Sequence, residues 1–173
     1  MKSAKRNILS IILFAIYILA LTGLILFKLP FFSEKSGSVR AVNLIPFQGS
    51  FNDAGVLILR EIIYNTMIFI PLGIYICMLK NKWSFMQKVL PIIGLTAAYE
   101  IIQYVFAIGR ADITDIIDNT LGGIIGICIY SLLFKIFKEK TTKVVNILAL
   151  VVTICALLLF VFLFFISHRA RTR

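Results

Sequence analysis

What most constrains this chain is a succession of apolar runs, each bounded by charge and each long enough to cross a hydrocarbon core, which takes about 20 residues of helix. Five are visible: Ile8 to Phe27, about Ile62 to Leu79, Val89 to Ile108, about Ile116 to Phe134, and Val144 to Ile166. With 60% hydrophobic and only 15% charged residues among 173, a soluble domain of this size could not hide so much apolar surface. Lipid must solvate much of it. The expectation is an all-α polytopic membrane protein of about five transmembrane helices, residues 1–173 forming a single membrane domain and residues 144–166 its fifth helix.

The formal charge of +10 would raise the question of nucleic acid in a soluble chain. Here Lys and Arg lie between apolar runs, with no basic stripe interleaved with exposed aromatics, so they read as membrane flanks and no nucleic acid is expected. The lysine-dense turns at 80–88 and 135–143, against a 109–115 turn with one Arg and two Asp, place the N-terminus in the cytoplasm. The first run is long for a signal peptide and is read as an uncleaved span. The basic tail from Arg169 to Arg173 fits an odd number of spans poorly. Either it is tolerated outside or the last run does not cross fully. Cys77, Cys128 and Cys155 fall inside apolar runs and are read as buried thiols, neither disulfides nor metal ligands.

Residues 28–61 form the one segment with soluble character and are read as an extracytoplasmic loop. Phe31 to Arg40 is rich in Ser and Gly, a flexible turn. Ala41 to Phe51 sets Leu44, Ile45, Phe47 and Phe51 beside polar groups on a segment broken by Pro46 and Gly49. It is either an interfacial stretch or an ordinary connection.

The second and fourth runs open alike. Glu61-Ile62-Ile63-Tyr64-Asn65-Thr66-Met67 aligns with Asp115-Ile116-Ile117-Asp118-Asn119-Thr120-Leu121, which reflects either common ancestry or enforced symmetry. Both segments enter from the same side, so a repeat relates helices 1 and 2 to helices 3 and 4 in parallel. It would bring Asn65 and Asn119 near each other. Each carboxylate then stands one turn from its Asn, and Glu61, Asn65, Asp115 and Asn119 line one recess. Gly122 and Gly126 give the fourth helix a face of small residues for close approach.

Glu100 lies well inside the third run, roughly 12 Å below its outer end at 1.5 Å per residue. A carboxylate there is neutral, partnered or open to a hydrated cavity. Gln103 and Arg110 follow near the same stripe, and Asp112, Asp115 and Asn119 occupy one face of the helix after a short turn. The two stripes should face each other. Each element also has a structural reading: Arg110 pairing with Asp112 or Asp115 at the surface, the Asn residues as interhelical hydrogen-bond glue, Pro71 and Gly73 as a kink.

Read in order, these residues resemble the VanZ-like family, named for a glycopeptide-resistance protein that lowers susceptibility to teicoplanin. The resemblance rests on Asn43-Leu44-Ile45-Pro46-Phe47, on Asn65 with Phe69-Ile70-Pro71-Leu72-Gly73, on Glu100 with Gln103, and on Arg110, Asp112, Asp115, Asn119, Leu121 and Gly122. It covers roughly residues 43–130 and implies a small bacterial plasma-membrane protein associated with resistance to lipidated glycopeptides. It supplies no catalytic assignment.

Two functions follow as expectations. The first is a non-enzymatic envelope protein that binds an amphiphile at the outer leaflet, either a lipoglycopeptide or a lipid-linked cell-wall precursor, among membrane lipids. Its ligand-binding residues would be Glu61, Asn65, Glu100, Gln103, Arg110, Asp112, Asp115 and Asn119, with the carboxylates holding a cationic or hydroxyl-bearing head. The second is a membrane enzyme acting on a lipid or wall precursor, with Glu100 or Asp115 as acid-base groups. No Ser-His-Asp set, His cluster or zinc spacing is present, the single His168 stands on the tail, and no cofactor or metal is expected. A proton or ion pathway through the same carboxylates would lack a polar line to the inner face.

Overall fold

The computed structural model describes residues 2–26, 41–48 and 59–171. The turn expected over Phe31 to Arg40, and Gly49 and Phe51 of the aromatic loop, lie outside the described residues. Five long helices stand where five spans are expected: α1 (Lys2–Leu26), α2 (Leu59–Leu79), α3 (Phe85–Val105), α4 (Ile113–Phe137) and α5 (Thr141–Arg171). Among the described residues, four helical stretches are long and apolar enough to cross a membrane: Ile8–Leu26, Leu59–Leu79, Phe85–Val105 and Ile113–Leu163. The last holds α4 and most of α5 on either side of a 3-10 turn, Lys138–Lys140. The chain is a multi-pass membrane protein.

Hydropathy located these helices, but capping set their ends. Ser84 begins α3 ahead of the apolar run, its Oγ accepting from the Gln87 N–H at 3.4 Å while the Gln87 side chain accepts from the Ser84 N–H at 2.9 Å. This reciprocal pair satisfies donors that the first helical turn leaves orphaned. At the other end α3 stops at Val105, short of the expected Ile108. Ala107 takes a left-handed φ of 53°, and the Ile108 N–H returns to the Gln103 carbonyl at 3.0 Å, a closure that terminates a helix. Arg110 therefore does not extend the α3 stripe, because that stripe ends before it.

The bundle is organised on α2 and α4, which run side by side in the same direction. Thr66 meets Asp118 and Gly122, Ile70 meets Gly126, and Gly73 meets Gly123 and Ile127, so contacts advance together along both helices. A Cβ on Gly122 would collide with the Thr66 carbonyl oxygen, and one on Gly126 with that of Ile70. Backbones this close need residues without side chains, as membrane helices packed by dispersion often do. Around the pair, α1 and α3 complete an apolar core of Leu21, Ile25, Phe69, Leu72, Ile76, Val89, Ile92, Tyr99 and Ile127. Polar groups within it are satisfied locally: the Tyr17 hydroxyl donates to the Ile68 carbonyl at 2.7 Å, and the Thr22 and Tyr99 hydroxyls are 2.7 Å apart.

Helix α5 joins this core only by its beginning. The buried Ser10 of α1 and Asn146 of α5 hydrogen-bond to each other at 3.0 Å, and Thr141 Oγ1 donates to the Lys138 carbonyl at 2.6 Å. Beyond Asn146 its apolar side chains are exposed around the helix, Val152 and Phe160 among them. At 1.5 Å per residue, the 31 residues of α5 span roughly 46 Å, more than a hydrocarbon core. The basic end is thus part of the helix, which runs to Arg171. The cysteines are free, but only Cys77 is buried by protein; Cys128 and Cys155 are exposed on helix surfaces. The burial expected of all three thus holds for Cys77 alone, since an apolar run does not reveal which face of a helix packs on protein.

Candidate ligand site

Polar residues gather at the end of the bundle where α2 and α4 begin. Two short strands form there: β1 (Val42–Asn43) lies parallel to β2 (Ala111–Asp112), pairing Val42 with Ala111 and Asn43 with Asp112. The Ala111 N–H donates to the Ala41 carbonyl at 3.0 Å. Beside this ladder Asn43, buried, donates from Nδ2 to Asp112 Oδ2 at 2.9 Å, and its Oδ1 accepts from the Ile45 N–H at 3.2 Å. The other Asp112 oxygen accepts from the Thr114 N–H at 2.9 Å and caps α4, placing negative charge where the helix dipole favours it. Thr114 Oγ1 accepts from the Phe47 N–H at 2.9 Å. Phe47 itself sits at a left-handed φ of 63°, so the loop folds over the start of α4 by paired polar groups.

From below, α3 presents a buried polar face. Thr96, Glu100 and Gln103 fall at i, i+4 and i+7, and none is more than 4% exposed. Glu100 Oε2 accepts from the Asp112 N–H at 2.8 Å. That bond gives the intramembrane carboxylate a partner at the α4 cap, one of the outcomes that burial demands. Asn119 of α4 donates from Nδ2 to Thr96 Oγ1 at 2.8 Å. The stripes of α3 and α4 therefore face each other as expected, through Glu100–Asp112 and Thr96–Asn119. Gln103 turns elsewhere, donating to the Ile25 carbonyl of α1 at 2.9 Å.

Between α2 and α4, Asn65 Nδ2 donates to Asp115 Oδ1 at 2.8 Å, and Thr66 Oγ1 donates to the Asp118 carbonyl at 3.3 Å. The two motif asparagines thus take different partners: Asn65 crosses to the carboxylate of the second copy, while Asn119 turns to α3. Half-buried Glu61 stands in the first turn of α2, close enough to bear electrostatically on Asp118, as Asp115 and Asp112 also do. Arg110 is exposed in the turn after α3, two residues before Asp112.

Sequence reasoning passed over Thr96, Thr114 and Asp118, and it used Asn43 only as part of a motif. Thr96 had a signal, a hydroxyl one turn before Glu100 on the same face. Asp118 stood in the second motif copy as a departure from symmetry, yet it is 2% exposed. Among the described residues no group of three or more His, Cys, Asp or Glu could hold a metal ion. The carboxylates and amides of the cluster lie at the same end of the bundle as the ladder loop, whose Val42, Leu44 and Ile45 are exposed.

The model of the VanZ/LLP1 family matches residues 14–138, a stretch that contains the ladder, the paired helices and the whole polar cluster. The protein named Protein VanZ, from Enterococcus faecium, is 39% identical over 136 residues, covering 78% of this chain and 81% of its own length. No solved structure matches.

Proposed function

The chain belongs to the VanZ/LLP1 family, and on that premise we propose that it is a bacterial plasma-membrane protein of the cell envelope that binds an amphiphile at the outer leaflet. The amphiphile is an acyl-bearing glycopeptide such as teicoplanin or a lipid-linked wall component, and binding it lowers susceptibility to the drug. The N-terminus is cytoplasmic and the ladder end faces outward, with the lysine-rich turns inside. The observation that carries this reading is the bond from the Asp112 N–H to Glu100 Oε2 at 2.8 Å. It ties an intramembrane carboxylate to the cap of α4 and, through Asn43, to a loop with apolar side chains exposed beside it. Polar groups over a few residues of depth, next to apolar surface at the membrane boundary, suit a ligand with one wet and one greasy end.

Glu61, Asn65, Asp115 and Asn119 complete the polar wall, and Arg110 at its exposed rim would meet an anionic part of the ligand. Cells expressing the protein are the test. Glu100→Gln and Asp115→Asn, at unchanged expression, should each reduce protection against teicoplanin relative to a glycopeptide without an acyl chain. Full protection in both variants would remove this cluster from the function.

A further inference from the structure

The end of the bundle opposite the polar cluster carries charge of one sign. Lys80, Lys82 and Lys88 lie in and just after the α2–α3 turn, and Lys135, Lys138, Lys140 and Lys143 surround the α4–α5 turn. Against them, Glu139 is the one carboxylate at this end among the described residues. The two turns are held side by side. Ser10 Oγ of α1 lies 4.0 Å from Met78 Sδ, just before Lys80, and 3.1 Å from Asn146 Oδ1, just after Lys143. Cys77 of α2 is within electrostatic reach of Lys88 and Tyr130, and Tyr130 within that of Glu139. Like charges gathered at one place repel, and more so where protein and lipid exclude water between them. An anion between the turns relieves that repulsion.

The α2–α3 turn also has the composition of a membrane boundary. The Trp83 N–H donates to the Lys80 carbonyl at 3.1 Å, and the Lys80 ammonium stands 5.3 Å from the centre of the Trp83 ring, a cation–π contact that holds the charge in place. Trp83, Phe85 and Met86 are exposed beside it. Topology asks only for cations near the ends of spans. It does not ask for two lysine turns at one place, with an aromatic ring and apolar side chains at the same level. We propose that this end binds an anionic phospholipid, its phosphate between the lysines of the two turns and its glycerol and upper acyl carbons against Trp83, Phe85 and Met86. Lysine ammoniums suit a phosphate as point charges on flexible stems, and basic clusters between spans at a membrane surface select anionic head groups. A free phosphate would use the cations and leave the apolar side chains without a partner. The lipid site lies at the other end of the helices from the amphiphile site, and either can be lost without the other.

Trp83 is the chain's one tryptophan, so its emission reports on this turn alone. The full chain is reconstituted into vesicles of equal parts phosphatidylglycerol and phosphatidylcholine with matched acyl chains, first with one lipid brominated and then with the other. Quenching should show about a fivefold preference for brominated phosphatidylglycerol, the effect of one lysine near a membrane surface. Lys135→Gln, Lys138→Gln and Lys140→Gln together, all at exposed positions, should lower that preference by at least half, although none stands on the tryptophan's turn. Arg169→Gln, Arg171→Gln and Arg173→Gln together remove the same charge from the tail and should leave it unchanged. Sodium chloride at about 1 M should abolish the preference, and inorganic phosphate should do no more than chloride of equal ionic strength. Equal quenching by both lipids, or a preference that survives the three lysine substitutions, would overturn the shared site. An equal fall in both triple variants would overturn it too, by tracing the effect to net charge. Displacement by phosphate beyond that by chloride would overturn the lipid in favour of a free anion.

Discussion

Asn65 and Asp115 hydrogen-bond at 2.8 Å across the α2–α4 interface, joining the amide of one motif copy to the carboxylate of the other. A two-fold arrangement would pair Asn119 with Glu61 in return, but Asn119 donates to Thr96 of α3. The departure has a physical source. Helix α3 offers a buried hydroxyl at Thr96 and an apolar Ile92 against Gly123, so the second copy has a neighbour that the first lacks. Similar sequence at two helix starts thus produces one interhelical bond and one bond to a third helix.

The Asn65–Asp115 bond sets a first expectation. Asn65→Ala should lower thermal stability in detergent by about 0.6 kcal/mol and at most about 1.7, the range for interhelical hydrogen bonds in membrane proteins. Asn65→Asp should cost more, because two carboxylates would then meet. Melting of purified variants followed by circular dichroism measures both, and a neutral Asn65→Asp would mean the pair is not closed in the membrane protein.

The glycines allow an internally controlled comparison. Gly126→Ala sets a methyl against the Ile70 carbonyl and Gly122→Ala sets one against that of Thr66. Neither backbone can yield without parting α2 from α4, so each should destabilise by about 1–3 kcal/mol, the cost of overpacking. At Gly23 and Gly94, nothing lies within 4 Å of an added Cβ. Alanine there should be neutral or stabilise by up to about 1 kcal/mol through helix propensity. Equal melting temperatures for all four variants would contradict the packing.

Much of this was legible in the residues, and what was not has a definite cause. Apolar runs reveal helices because lipid demands them, which is why the five elements were visible. Periodicity placed Glu100 and Gln103 on one face but could not say that Gln103 would serve α1, since direction around a helix fixes no partner. Arg110 was assigned to the α3 stripe by assuming an unbroken helix, whereas the left-handed Ala107 ends it, a conformation that alanine does not advertise. The β1–β2 ladder joins segments far apart in the chain, and two-residue strands carry no pattern. Asp118 was hidden by attention to symmetry: its burial follows from the close approach of α2 and α4, which the glycines implied and the motif alignment did not.

Asp112 holds together the cap, the loop and the buried carboxylate, and its removal should show that coupling. Asp112→Ala deletes the α4 cap, worth about 1 kcal/mol, and the acceptor for Asn43, worth about 1 kcal/mol more. Asn43→Ala alone should cost the second amount together with the bond its Oδ1 accepts from the Ile45 N–H, worth about 1 kcal/mol again. The double variant should therefore lose less than the sum of the two single variants by about the value for one hydrogen bond. Additive losses in a double-mutant cycle by thermal melting would mean that Asn43 and Asp112 act separately.

The ladder loop carries the last expectation. Val42, Leu44, Ile45 and Phe47 are exposed, while Asn43 and the Phe47 backbone anchor the segment to the start of α4. Apolar groups held out from a rigid attachment at a bundle end would sit among head groups, where aromatic rings are favoured. With the only tryptophan removed by Trp83→Phe, a reporter placed by Phe47→Trp should be quenched by lipids brominated high on the acyl chain more than by lipids brominated near its end. Leu44→Glu should weaken that quenching by setting a charge at the boundary, where burial is costly. Emission insensitive to brominated lipid at either depth would put the loop in water, and the ligand would then approach the cluster without a lipid-facing edge.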